Sequence, residues 1–117
     1  ITAGPDGNLW FTESENSTGQ SGSIGRITPT GTITEFPLTN SGKFPNYPIG
    51  ITVGHDGNLW FTESSRIGRI TSMSMITNFP LPGTGFISTS ITKGPDGNLW
   101  FTINDQSGQN GKIGKLA

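Results

Sequence analysis

Gly54-His55-Asp56-Gly57-Asn58-Leu59-Trp60-Phe61-Thr62 is one of three near-copies of a nine-residue string. The others are Gly4-Pro5-Asp6-Gly7-Asn8-Leu9-Trp10-Phe11-Thr12 and Gly94-Pro95-Asp96-Gly97-Asn98-Leu99-Trp100-Phe101-Thr102. A fixed internal period decides the architecture before any single residue does. A second string, Ile24-Gly25-Arg26-Ile27-Thr28, returns as Ile67-Gly68-Arg69-Ile70-Thr71 and loosely as Ile113-Gly114-Lys115-Leu116-Ala117. A third, Ile33-Thr34-Glu35-Phe36-Pro37-Leu38, returns as Ile76-Thr77-Asn78-Phe79-Pro80-Leu81. The strings keep their order, so each repeat is one structural unit.

The spacing between copies places the connections. Trp10 and Trp60 are 50 residues apart, Trp60 and Trp100 only 40. The difference falls in two places: after Glu13 or Glu63, and between Leu38 or Leu81 and the next repeat. The spacing from the second string to the third is constant. Each repeat therefore reads as four strands, A to D, with variable B–C and D–A connections. Strand A is Ile51 to Gly54, strand B starts at Leu59, strand C centres on Ile67 to Thr71 and strand D on Ile76 to Phe79. The pairs Asp6-Gly7, Asp56-Gly57 and Asp96-Gly97 predict a tight A–B hairpin, because glycine accepts positive φ without steric cost. Pro80 lacks a ladder donor and belongs at a strand end or an edge.

A repeat of about 40 residues with four strands is the size of one propeller blade. The fold class is therefore all-β, a β-propeller of four-stranded antiparallel blades. Blade 1 spans 1–38, a linker loop 39–48, blade 2 49–81, a loop 82–90, and an incomplete blade 3 91–117. Blades stack face to face, so both faces of a strand are covered. Leu59 and Phe61 point to one face and Trp60 to the other, and all three are expected to be buried. About 200 Å² of indole at about 25 cal/mol/Å² is worth roughly 5 kcal/mol before entropy. Trp10, Trp60 and Trp100 are thus read as inter-blade wedges. Two and three-quarter blades leave apolar flanks exposed. The segment is therefore expected to be part of a ring of roughly 240–330 residues, or to assemble with other copies.

Composition agrees. The 117 residues include 18 Gly and 8 Pro, with 30% hydrophobic residues. Seven Phe, three Trp and a net charge of −1 argue against disorder. Seven basic residues against eight acidic ones leave no stripe for phosphates, which excludes nucleic acid. No run is long enough for a membrane span. Cysteine is absent, so there is neither a disulfide nor a thiol nucleophile. The serines have no histidine in a recognisable frame. Asn16-Ser17-Thr18 matches a glycosylation triplet of a kind that arises often by chance. Asn104 to Gly111 faintly suggests a calcium loop but lacks alternating ligands and a closing Glu, and reads as a flexible polar loop.

The combination Gly-Pro-Asp-Gly-Asn-Leu-Trp-Phe-Thr-Glu, Ile-Gly-Arg-Ile-Thr and Ile-Thr-Glu-Phe-Pro-Leu resembles the repeat of the virginiamycin B lyase family, over nearly the whole chain. The resemblance implies a closed ring of about seven blades. It also implies a magnesium-dependent lyase that opens type B streptogramin antibiotics at an ester by elimination. In the family a catalytic histidine precedes the Gly-Ile that starts strand A, and metal-binding glutamates end strand B. Here the first position holds Ile49 and, in the third repeat, Thr89; the second holds Glu13, Glu63 and Ile103. No catalytic residue is therefore assigned to this segment.

Strand order places the B–C and D–A loops on one face, with the start of A and the end of B. Variable loops on a rigid scaffold are where function sits. That face carries Glu13 and Glu63 as candidate magnesium ligands, since Mg²⁺ takes hard oxygen donors; a solvated carboxylate, or one paired with Arg66, is the plainer alternative. Tyr47, Phe44 and Arg66 are candidate ligand contacts, with Glu15, Lys43 and Phe86 nearby. The single histidine, His55, sits in an A–B turn on the opposite face and reads as a turn residue. A non-catalytic propeller that binds a small molecule, a glycan or a partner on its loop face remains the competing function. Location is open: the resemblance implies the cytoplasm, and a composition rich in Ser, Thr, Asn and Gly leans outward.

Overall fold

The computed structural model describes residues 1–14, 22–38, 47–82, 86–105, 107 and 109–117. Among the described residues, eleven strands form three antiparallel sheets. The first is β1 (Thr2–Ala3), β2 (Leu9–Glu13), β3 (Ser23–Ile27) and β4 (Ile33–Pro37). The second is β5 (Ile51–Val53), β6 (Leu59–Glu63), β7 (Arg66–Ile70) and β8 (Ile76–Pro80). The third is β9 (Phe86–Lys93), β10 (Leu99–Asp105) and β11 (Gly111–Leu116). Within each sheet, strands that follow one another in the chain are neighbours. These are the blades of a propeller arc, 43 × 40 × 21 Å in extent. The described residues contain no helix, and so none that could cross a membrane.

The register explains the second string. Phe61 lies opposite Gly68, and Phe11 and Phe101 lie opposite Gly25 and Gly114. A Cβ at Gly68 would overlap the Phe61 ring. Glycine there lets the aromatic ring lie flat across strand C.

Two apolar layers join the blades. Trp10, Ile24 and Phe36 of the first blade pack on Leu59, Phe61, Ile51 and Ile70 of the second. Trp60, Ile67 and Phe79 of the second pack on Leu99, Phe101 and Ile91 of the third. Trp10 and Trp60 thus face forward into the Leu/Phe pair of the next blade, while Trp100 faces no further blade among the described residues. Each wedge is backed within its own blade. Trp60 stacks on Phe79 at 5.4 Å, and the Arg69 guanidinium lies 5.5 Å from the indole centroid. Trp10, Phe36 and Arg26 repeat the arrangement, and Lys115 takes the cation's place over Trp100.

The A–B turn spans Gly54 to Asn58 and is closed by Gly54 N–H donating to the Asn58 carbonyl. Asp56 braces it by accepting from the Asn58 amide at 3.1 Å, and Gly57 has φ +77°, the left-handed conformation that glycine accepts. One expectation needs correction: 82–90 is not all loop, since β9 begins at Phe86. β10 continues past its bulge to Asp105, pairing Ile103, Asn104 and Asp105 with Ser88, Ile87 and Phe86. In the second blade, Pro48 stands in the corresponding lead-in and supplies no ladder donor.

Candidate functional site

The loop-face end of the arc is built around threonines at one repeat position. Thr62 pairs with the lead-in to β5: Ile49 N–H donates to the Thr62 carbonyl at 3.0 Å, and Thr62 N–H to the Gly50 carbonyl at 2.9 Å. The Thr62 hydroxyl accepts from Gly50 N–H at 2.9 Å. Thr12 of the first blade donates its hydroxyl to the Ile49 carbonyl at 2.9 Å, and Ser14 donates to that of Pro48 at 3.3 Å. On the other side, Ser88 N–H donates to the Ser64 carbonyl at 3.0 Å. Gly50 lies so close to Thr89, Ser90 and Ile91 that a Cβ would come within 3.1–3.2 Å of that backbone. Tyr47 and Ile49 thus project from a lead-in pinned on both sides, and both are exposed.

The two candidate glutamates differ sharply. Glu63 is 1% exposed, facing the first blade, and its Oε2 accepts from Arg66 Nε at 2.6 Å. Its Oε1 is buried without a partner. Burial pushes its carboxyl above the ordinary range, with the Arg66 hydrogen bond and charge opposing. Glu13, on the uncovered side of the first blade, is half-buried and accepts from the Ser23 hydroxyl at 2.8 Å. The third position holds Ile103, which packs into the layer between the second and third blades.

This donor set does not fit a divalent cation at Glu63. One oxygen is committed to a guanidinium whose charge opposes a metal, and among the described residues no three His, Cys, Asp or Glu side chains converge. Glu13 alone could contribute a single ligand to a site completed elsewhere.

The remaining candidates are placed as follows. Arg66 is the Glu63 partner and largely buried, so its guanidinium is not an open ligand contact. Phe44, Lys43, Glu15 and the Asn16 triplet lie outside the described residues, as does the Phe86 side chain. His55 sits on the opposite face, against Gly97 of the next blade's A–B turn. Asp105 is held by its own loop. Its carboxylate accepts from Ser107 at 2.7 Å, Gln109 N–H at 3.0 Å and Asn110 at 2.8 Å. Those bonds, Ser107 first, bring its pKa to about 2. A carboxylate so engaged is a turn cap rather than a calcium ligand.

Sequence reasoning treated Ile49 only as the absence of a histidine, and it missed the threonine pins. The signal was present in the recurrence of Thr12, Thr62 and Thr102 after each Trp-Phe pair.

A profile of the Virginiamycin B lyase family matches residues 1–117. The chain belongs to the virginiamycin B lyase family. Among solved structures it is similar to the selenomethionine-substituted virginiamycin B lyase of Staphylococcus aureus, at 40% identity and a TM-score of 0.73. That match covers 99% of this chain and 39% of the lyase. A catalytically inactive histidine-to-alanine variant of the S. aureus lyase, solved with quinupristin, matches at 37% identity and a TM-score of 0.72, covering 98% of this chain and 39% of that one. A protein of unknown function from Bacteroides caccae, at 21% identity and a TM-score of 0.61 over 80% of this chain and 32% of its own, shares the fold. The chain thus spans about two-fifths of the length of the lyases it matches. No relative is found among curated proteins.

Proposed function

We propose that this chain is an arc of a streptogramin lyase-like propeller that contributes binding surface, while the acid–base histidine and most of any magnesium site belong to other blades. The observation that supports this reading is the 37–40% identity to lyases over nearly the whole chain, combined with Ile49 and Thr89 at the positions preceding strand A. Tyr47 and Ile49 supply exposed apolar surface at the loop-face end. In that role they would contact the ligand without moving a proton. An elimination needs a positioned acid and base, and neither Glu63, closed off by Arg66, nor His55, on the opposite face, can act there.

The competing reading is a propeller that binds without reacting. The Glu63–Arg66 pair favours it, because it neutralises a carboxylate the family resemblance assigns to metal. One experiment addresses both. The 117-residue chain is titrated with quinupristin, with and without Mg²⁺, while amide shifts and product mass are followed. The expected result is shifts centred on Tyr47 and Ile49 with no ring opening. Elimination leaves the mass unchanged but gives a separable linear product. Formation of that product by the chain alone defeats the assignment of the histidine to other blades, and the absence of any shift defeats the binding surface.

A further inference from the structure

The segment that leads into β5, from Tyr47 to Gly50, belongs to no strand, so hydrogen bonds and packing set its course. One peptide in it, between Ile49 and Gly50, is held at both ends. Its carbonyl accepts from the Thr12 hydroxyl of the first blade at 2.9 Å, and its N–H donates to the Thr62 hydroxyl oxygen of the second at 2.9 Å. Thr12 and Thr62 occupy one repeat position in neighbouring blades. A peptide unit is planar, so anchoring its two ends sets its tilt, and with it the direction of the adjoining Ile49 side chain. One step earlier the Pro48 carbonyl accepts from the Ser14 hydroxyl at 3.3 Å, and the proline ring is buried.

The second joint is made differently. Ser64 and Ser88 stand where Ser14 and Pro48 stand in the first. There the link is backbone to backbone, from Ser88 N–H to the Ser64 carbonyl at 3.0 Å. Pro48 has no N–H to give. The first joint therefore relies on side-chain hydroxyls at a point where the second uses the main chain.

We propose that Thr12 and Ser14 are positioning residues, hydroxyls on one blade that orient the Tyr47–Ile49 surface carried by the next and so set its affinity for a ligand. The proposal rests on the reading of that surface as a ligand contact. Tyr47 and Ile49 are 41% and 45% exposed. A contact surface that is ordered before binding has less freedom to lose when the ligand arrives. In this role neither hydroxyl touches the ligand; both act through the carbonyls of Pro48 and Ile49.

The test uses the full chain, with quinupristin as the probe. Thr12→Val keeps the side-chain shape and removes the hydroxyl, whereas Thr12→Ser keeps the hydroxyl. Ser14→Ala removes the second hydroxyl. Ser64→Ala is the control, because the Ser64 link runs through its carbonyl. Circular dichroism confirms that each variant is folded; Ser14 is exposed, so Ser14→Ala keeps the test open if Thr12→Val does not fold. Without ligand, Thr12→Val should shift the Ile49 carbonyl carbon resonance and lower the order parameter of the Gly50 amide. It should weaken quinupristin binding about two- to tenfold, the worth of one net hydrogen bond. Ser14→Ala should act in the same direction, Thr12→Ser should restore binding, and Ser64→Ala should bind as wild type does. Unchanged affinity in Thr12→Val and Ser14→Ala, beside a wild type that binds, overturns the positioning role and leaves the binding surface standing. A Thr12→Ser variant as weak as Thr12→Val, or a loss in Ser64→Ala equal to that in Ser14→Ala, overturns it too. No binding by wild type defeats the surface itself, and the positioning role with it.

Discussion

The indole N–H of Trp60 donates to Asp56 Oδ1 at 2.9 Å, tying the wedge between two blades to the turn that precedes its own strand. Burial raises the Asp56 pKa, but the hydrogen bonds from Trp60 and Asn58 outweigh it and leave a net depression. Arg69, over the same indole, adds a contact to Asp56 at 3.9 Å. Turn, wedge and cation form one unit. Asp56→Ala should cost about 1–3 kcal/mol, the usual penalty for orphaning a buried donor. Asp56→Asn, which keeps an acceptor, should cost less. Urea unfolding of both variants checks the order, and equal losses would contradict it.

Gly68 lies across from Phe61, where any Cβ overlaps the ring. Gly68→Ala should destabilise by about 1–3 kcal/mol through overpacking. Phe61→Leu removes the clashing edge, so the double variant should lose less than the two single losses together. Simple additivity in thermal or urea unfolding would show that the two residues do not compete for space.

Arg66→Met leaves the Glu63 carboxylate buried without its partner. The expected loss is about 3–5 kcal/mol at neutral pH, against less than about 1 kcal/mol for a solvated pair. The folded pKa of Glu63 lies above its unfolded value of 4.5. Its protonated form therefore contributes stability below that value, and the contribution is lost as pH rises through the folded pKa. Removing the opposing arginine raises the folded pKa further. The Met variant should thus lose less at pH 4 than at pH 7, which denaturant unfolding at the two values reports.

Asp105 should titrate with a midpoint of about 2, followed by its side-chain carbon shift. Its folded pKa is depressed, so its contribution to loop order is present above the ordinary carboxylate range and is lost as pH falls toward that midpoint. Ser107→Ala removes the first of its hydrogen bonds and should move the midpoint upward. An unchanged midpoint would mean that Asn110 and Gln109 hold the carboxylate alone.

Most of the fold was legible because the signal was repeated. The repeat length and strand count gave stacked blades, and these explain how Leu59, Trp60 and Phe61 in succession can all be buried. The lengthened β9 was not legible. Phe86 to Ser90 has no counterpart string in the other blades, and its pairing depends on Ile103, Asn104 and Asp105 continuing β10. The site was harder to read for a different reason. Glu13 and Glu63 end identical Leu-Trp-Phe-Thr-Glu strings, and their difference in burial comes from what stacks on them. Sequence could place both on one face of the ring and offer Arg66 as a partner, but only the stacking of the blades decides that Glu63 is buried with Arg66 and Glu13 is not.

The joint between blades also bears on how such a chain can change over generations. Its two halves, the indole face and the Leu/Phe face, are encoded within every repeat. A tandem duplication of one repeat would therefore bring both halves with it, and a deletion would remove both. Blade number can change by recombination without a new interface having to arise first, while the B–C and D–A connections diverge on their own.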